Sequence, residues 1–308
     1  MLFRNVIIRI ALLFFLCFSL SAAEIDTDRS HPFYLLKAGE KKLSASTSFL
    51  IEEHEYEKAS SIQDLFEYQH WIHEIDGAIG FSGERLAGAS VSFLSHGKVS
   101  KSYSPLLNIP NESIRYQGLY ALELYFQEHF KTQSSKNKMA MEIRLKGSPL
   151  KGKESNNTYS GKDISLGLLY SHRHEDWRIY GDIHAEIIGR KKTRKSNGEM
   201  ETFNAYSQFG TLLGVQWLKE KFWIEGNALF YLTTDYNSHS PSYTRLTDKG
   251  FVVGGKFLVG FFLNEKSYLT LEHVRSGSNF NVIAESNSDS TEFEIETQYS
   301  RLGVTWFF

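Results

Sequence analysis

Asp182, His184 and Glu186 stand at alternate positions of the run Trp177–Ile187, a D-x-H-x-E stripe. Alternate residues of a strand share a face. The three side chains could therefore hold a metal ion, or a carboxylate could orient the imidazole for proton transfer. The same residues also suit a polar network inside an enclosed interior, and that reading is adopted here, with no metal and no cofactor expected. A second candidate is His273-Val274-Arg275-Ser276-Gly277-Ser278, a histidine and serines that could form a nucleophile–base pair. An offset of three puts His273 and Ser276 on opposite faces of a regular strand. Only a bulge at Ser276, or a break at Gly277 that frees Ser278, would unite them. No catalytic residue is assigned, and an outer-membrane lipid acyl hydrolase is kept as a second alternative. His172 and His174 flank Arg173 beside Glu175 and Asp176, with no further ligand in sequence, and read as a solvated turn. The basic run Arg190-Lys191-Lys192-Thr193-Arg194-Lys195 suits either lipopolysaccharide phosphates or a charged loop.

The elements that position these groups follow a two-residue period. Trp177, Ile179, Gly181, Ile183, Ala185 and Ile187 alternate with Arg178, Tyr180, Asp182, His184 and Glu186. Tyr116, Gly118, Tyr120, Leu122, Leu124 and Phe126 alternate with Arg115, Gln117, Glu123 and Gln127; Met139, Met141, Ile143 and Leu145 alternate with Glu142, Arg144 and Lys146. Two further apolar faces run from Phe222 to Leu232 and from Phe251 to Leu263. Strands are expected at 43–51, 66–81, 86–95, 113–127, 138–146, 161–172, 177–189, 202–218, 221–233, 250–263, 267–276 and 291–308. That is an all-β antiparallel barrel of about twelve strands, an even number within the range of transmembrane barrels. Ser61, Asp64 and the apolar spacing of Ile62, Leu65, Phe66 and Ile72 leave a loop helix open over 60–76.

Three features choose the membrane over water. Tight turns (Ser82–Arg85, Arg173–Asp176, Lys219-Glu220, Asn264–Lys266) alternate with long polar connections, as short periplasmic turns alternate with external loops. Trp177, Trp217, Trp223, Trp306 and Phe308 lie beside the tight turns and are expected to form an aromatic girdle, with Trp71 the one tryptophan outside that pattern. The last strand alternates Leu302, Val304, Trp306 and Phe308 with Arg301, Gly303 and Thr305, like the closing signal read by the barrel-assembly machinery. Apolar faces then touch outer-membrane lipid. The ionic faces, Arg115, Glu123, Glu142, Arg144, Lys146, Arg178, Asp182, His184, Glu186, Glu225 and Lys256, line the lumen. Glu292, Glu294 and Glu296 continue the lipid-facing parity and belong above the bilayer, where charge is cheap.

The beginning of the sequence sets the compartment. Arg4 and Arg9, the apolar run Ile10–Phe18 and the small residues Ser21 to Ala23 make a secretory signal peptide over 1–23. A periplasmic segment is expected over 24–42 and the barrel over 43–308. Cys17, the only cysteine, lies in the signal, so no disulfide is expected in the mature chain. A net charge of −2 argues against nucleic acid as a partner. A mean hydropathy of −0.33 is compatible with a barrel whose polar lumen dilutes its apolar wall.

The whole mature pattern resembles Gram-negative outer-membrane β-barrels. Gly161-Lys162-Asp163-Ile164-Ser165-Leu166-Gly167-Leu168-Leu169-Tyr170-Ser171, Trp177-Arg178-Ile179-Tyr180-Gly181 and Leu302-Gly303-Val304-Thr305-Trp306-Phe307-Phe308 resemble the outer-membrane transporter family tied to the meta-pathway of phenol degradation. That resemblance implies a channel for small molecules and supplies no catalytic residue. The expected function is diffusion of small solutes through a polar lumen, with lipid and lipopolysaccharide as surroundings. A structural or adhesive barrel acting through its external loops is the alternative.

Overall fold

In the computed structural model, residues 27–308 are described except 32, 59–60, 104–111, 135, 148–161, 195–199, 242 and 285–289, so the expected signal peptide and Cys17 lie outside the described residues. Among the described residues, sixteen strands follow one short 3-10 turn at Thr27–Ser30. Twelve of them close a single antiparallel barrel: β1 (Lys41–Lys58), β2 (Ser61–Ser82), β3 (Arg85–Tyr103), β4 (Glu112–Phe130), β5 (Asn137–Gly147), β6 (Lys162–His174), β7 (Trp177–Ile188), β10 (Tyr206–Leu218), β11 (Phe222–Thr233), β14 (Gly250–Asn264), β15 (Ser267–Ala284) and β16 (Ser290–Phe307). Each pairs with its neighbour around the ring, and β1 with β16 shuts it, Leu43 facing Trp306 and Ser48 facing Arg301. Closure leaves no unpaired edge, the condition for strands to cross lipid. The remaining strands, β8 (Lys191–Arg194), β9 (Met200–Phe203), β12 (Tyr236–Ser240) and β13 (Tyr243–Thr247), form hairpins that extend the wall at the end opposite the tight turns. There β9 pairs with β12, and β13 pairs with the upper part of β15.

The lipid-facing assignment follows from which side chains are left bare. Ile183, Leu213, Ile179, Leu124, Phe257 and Leu271 are all more than half exposed, on neighbouring strands of one outer surface. A continuous apolar belt of that size is not kept in water. On β2 the belt runs from Phe81 to Trp71, ten residue steps. At about 3.3 Å per residue and a tilt of roughly 40° that is about 25 Å of height, the thickness of the apolar band of such barrels. Trp71 packs on Phe49 at 4.9 Å and sits at the upper rim of the belt. It therefore belongs to an outer aromatic girdle, which explains why it stands apart from the tight turns.

Of the segment 60–76, the described part from Ser61 on is strand and not helix: β2 pairs with β1 from Ser61 onward, and the capping-box residues Ser61 and Asp64 lie in the ladder. The expected parity fails on β4. The β3–β4 register shifts between Ser92 and Phe93, opposite Ala121 and Leu119. The extra residue, Tyr120, turns its ring toward His70 at 6.4 Å. Gly118, at φ 140°, takes the left-handed backbone that the insertion demands. A second irregularity between Leu94 and Gly97 resets β3. Leu122, Leu124 and Phe126 keep the outward face, whereas Tyr120 joins the interior.

The packed core sits inside the barrel at its tight-turn end, which is the periplasmic end by the habit of these barrels. Leu36, Ala78, Leu86 and Phe307 form one cluster, Phe33, Ala140, Leu169 and Tyr180 a second, and Leu218, Trp223 and Phe262 a third. Trp223 is 2% exposed, so it is a correction to the expected girdle. It shares strand parity with Glu225, lies over Gly260 and meets Phe262 at 4.9 Å within the lumen. Trp177 and Trp217 do meet on the outer face, at 6.2 Å, and Trp306 and the exposed Phe308 lie on the same surface near the closing seam.

Candidate functional site

The inward side chains of the middle strands build a charged lumen with open space. Arg144 on β5 binds Glu142 at 2.5 Å and reaches Glu123 on β4 at 2.7 Å. Asp182 and His184, two apart on β7, bond through His184 Nδ1 at 2.7 Å. Lys256 on β14 binds Glu225 on β11 at 2.9 Å and lies 3.6 Å from Glu272 on β15. One cavity of about 460 Å³ is walled by Lys42, Asp76, Glu123, Arg144, Glu272 and Arg301 among others. A second of about 270 Å³ shares Glu123, Glu142 and Arg144 with it and adds Lys146, Asp182, His184 and Glu186. Both signs of charge therefore line space wide enough for water and small solutes, and several pairs are cross-strand bonds that also fix the wall.

Arg178 is placed lower, at the periplasmic end, 1% exposed in its side chain. Arg115 is a correction. Its partner is Lys98, which faces Gln69, and Gln69 faces Ile51 on the outer parity of β1 and β2. The insertions around Tyr120 and at 95–96 move Arg115 off the lumen face. Among the described residues no group of three His, Cys, Asp or Glu is arranged to hold a metal ion.

The feature sequence reasoning missed is a strap. Residues 27–40 do not hang below the barrel but cross its mouth. At one end Asp28 binds Lys138 (3.2 Å) on β5, Arg173 (2.8 Å) on β6 and Arg178 (2.8 Å) on β7. Gln216 on β10 accepts from Arg178 at 2.5 Å and donates to Ser30 O at 3.0 Å. His31 is buried: its Nδ1 accepts from the Phe33 amide at 2.7 Å, so Nε2 carries the proton and donates to Ser171 Oγ at 2.6 Å. Phe33 packs edge-on to Tyr180 at 5.7 Å. At the other end Leu36 is 1% exposed against Ala78, Leu86 and Phe307. Gly39 donates to Gly80 O at 2.7 Å, Gly80 donates to Glu40 O at 3.0 Å, and Arg29 binds Glu40 at 2.8 Å.

In a ring of twelve strands, β7 stands opposite β1, so the strap joins opposite sides. Twelve strands about 4.8 Å apart and tilted about 40° give a barrel roughly 24 Å across, and the strap bridges it with the help of the long Lys138, Arg173 and Arg178 side chains that reach in to Asp28. Gly80 permits the approach: a Cβ there would lie 2.3 Å from Lys37 O and 2.5 Å from Leu36 O. The electrostatics favour the docked form. Burial works against the Asp28 carboxylate, but Lys138, Arg178 and Arg173 outweigh it and hold its pKa below the usual value. Burial, reinforced by Arg178, Lys138, His129 and Arg173, pushes His31 well below the ordinary histidine range and keeps it neutral. The one sequence hint was the apolar run Phe33-Tyr34-Leu35-Leu36 in a segment that had no membrane to enter.

His273 lies on the outer face, opposite Phe257 and Ser300, and Ser276 faces the lumen with no bulge between them. Ser278 bonds Ile295 O on the inner side. The serine that meets His273 is instead Ser300 on β16, 3.0 Å from Nδ1. Only cross-strand register brings that pair together.

No family model matches the chain, and no curated protein matches it. Among solved structures, the COG4313 outer membrane channel from Pseudomonas putida F1 matches with a TM-score of 0.59 at 12% identity, over 90% of this chain and 98% of that one. A TodX deltaS2S3 mutant monoaromatic hydrocarbon channel (TM-score 0.47, 7% identity, 91% and 94% coverage) and the NanC porin (TM-score 0.43, 9% identity, 84% and 98% coverage) align less well. The first match speaks for the fold, and with the apolar belt and the closed ring the conclusion is plain: this chain is a twelve-stranded outer-membrane β-barrel protein.

Proposed function

We propose that the protein is a channel that passes small polar solutes by diffusion along its charged lumen, and that the 27–40 strap shuts the periplasmic end until it is released. The observation that carries this reading is the pair of cavities walled by charged side chains inside a lipid-facing barrel. A barrel built only as a stable wall or an adhesive platform gains nothing from desolvating so many ions around open space. The strap uses a few ion pairs and two small apolar clusters, a contact set weak enough to open. The resemblance to the phenol meta-pathway transporter family agrees with a channel. The closing strand, with its exposed Phe308, is the proposed handle for barrel assembly.

Liposome swelling tests it. Proteoliposomes holding a variant without residues 27–38 should swell in arabinose or glycine at least several times faster than those holding the intact chain. Swelling no faster than empty liposomes in either case overturns the channel reading.

A second reading rests on the His273–Ser300 contact at the level of the outer belt rim, a base and a hydroxyl within reach on a lipid-facing surface. Among the described residues no carboxylate or amide bonds His273 Nε2, so the orienting third group of such sites is missing. Release of fatty acid from phospholipid or lipid A by the intact chain, lost in Ser300→Ala, would favour it; equal release by both discards it.

A further inference from the structure

We infer that the lumen selects for cations, and that a solute bearing a primary ammonium group pauses at Glu272 on its way through. The inference rests on the channel reading and specifies its substrate class. The two cavities share the Glu123–Glu142–Arg144 wall, and together their linings carry eight carboxylates against four lysines and arginines. Every one of those four cations except Lys146 is tied to a carboxylate of the same lining: Lys42 to Asp76 at 3.0 Å, Arg144 to Glu123 and Glu142, and Arg301 to Glu74 at 3.7 Å. Pairing of this kind leaves the surplus negative. A ring of fixed charge in a narrow, low-dielectric passage concentrates the opposite ion and repels its own sign.

A second, independent observation points to a ligand. Glu272 is 9% exposed and lines the larger cavity. Its Oε2 lies 3.6 Å from Lys256 Nζ, and Tyr299 and Arg301 of β16 stand beside the carboxylate, yet its Oε1 has no hydrogen-bond partner. Asn227, the register partner of Lys256 on the next strand, likewise has a buried Oδ1 with no donor. Native interiors rarely leave buried acceptors bare. Both bare atoms are acceptors on the two flanks of one lysine that is already committed to Glu225. What the two bare acceptors lack is a donor within bonding distance. A primary ammonium offers three N–H groups in a compact, positively charged head, and a purely acceptor solute offers none.

The experiment is a reversal-potential measurement across a planar lipid bilayer holding the purified full chain under a tenfold KCl gradient, with n-butylammonium chloride then added as the probe. Potassium should pass at least threefold more readily than chloride. n-Butylammonium should reduce the potassium current at millimolar concentration, and Glu272→Gln should weaken that block at least fivefold while single-channel steps persist. A chloride preference, or block that is unchanged in Glu272→Gln, overturns the inference and leaves the channel reading standing. Absence of any current, in the intact chain and in the variant without residues 27–38 alike, overturns the channel reading itself and this inference with it. Selectivity of the intact chain is read without any substitution, so a variant that fails to fold does not rescue the inference.

Discussion

Removing one carboxylate should unlatch the strap. Asp28 faces three cations at the β5–β7 side of the mouth, and the Arg178 side chain beneath it is 1% exposed. In Asp28→Ala, Arg178 would keep its bond to Gln216 but lose its carboxylate, and its Nε already has no hydrogen-bond partner. Breaking a fully buried pair from one side costs about 3–5 kcal/mol. Asp28 is 35% exposed in its side chain, so water takes over part of its role, and about 2 kcal/mol is the reasonable share for docking. At 1.4 kcal/mol per factor of ten, the undocked population should rise about 30-fold. Thiol labelling reads this directly. Ser30 is 6% exposed, and Cys17 is the only native cysteine. In a Cys17→Ser, Ser30→Cys background, the label should react only with the undocked strap, and Asp28→Ala should speed the reaction about 30-fold. Arg275→Ala, which breaks an exposed pair with Glu296 on the outer face of β15 and β16, should leave it unchanged. Equal labelling rates for Asp28→Ala and its parent would refute the latch.

Three other predictions follow from the same contacts. His31 is neutral when docked, with its pKa pushed well below 6.5, whereas the released ring regains an ordinary pKa. Docking is thus complete above about pH 6.5 and weakens as pH falls, by up to about tenfold per unit, so labelling at position 30 should accelerate from pH 7 to 5 and the slope should vanish in His31→Gln. Asp28, held below 3.8, adds its own loss of docking only under stronger acid, below about pH 4. Gly80→Val would press its side chain into the Leu36 and Lys37 carbonyls; labelling should rise as in Asp28→Ala while the barrel's heat-modifiable migration on gels is kept. Ile183→Lys puts a charge on a residue 70% exposed to lipid in mid-belt and should cost about 2–4 kcal/mol in urea unfolding from bilayers, whereas Ser165→Lys on the lumen face should cost far less.

What was legible in the sequence is what obeys a strict period. The faces of β5, β7, β11 and β14 follow from alternation alone, because a regular strand has no other way to arrange Met139 to Leu145 or Ile179 to Ile187. Alternation groups the residues from Glu123 to Lys256 on inner faces for the same reason, and Arg115 drops out where the insertion at Tyr120 breaks the count. Trp223 misled because closeness to a turn was weighed above parity, which already grouped it with Glu225. Trp71 looked anomalous because only a belt measured in three dimensions shows a second rim. The strap and the His273–Ser300 contact lay out of reach. Their partners are separated by more than a hundred residues in the first case, as in Asp28 with Arg178, and by twenty-seven in the second, and nothing local encodes the register that joins them.

Single-channel recording from the intact chain beside the variant lacking residues 27–38 tests the central claim most directly. The account predicts brief, rare openings for the intact chain and long-lived steps of the same conductance once the strap is gone. Identical open times in the two proteins would contradict the strap as a gate, and silence in both would contradict the lumen as a path.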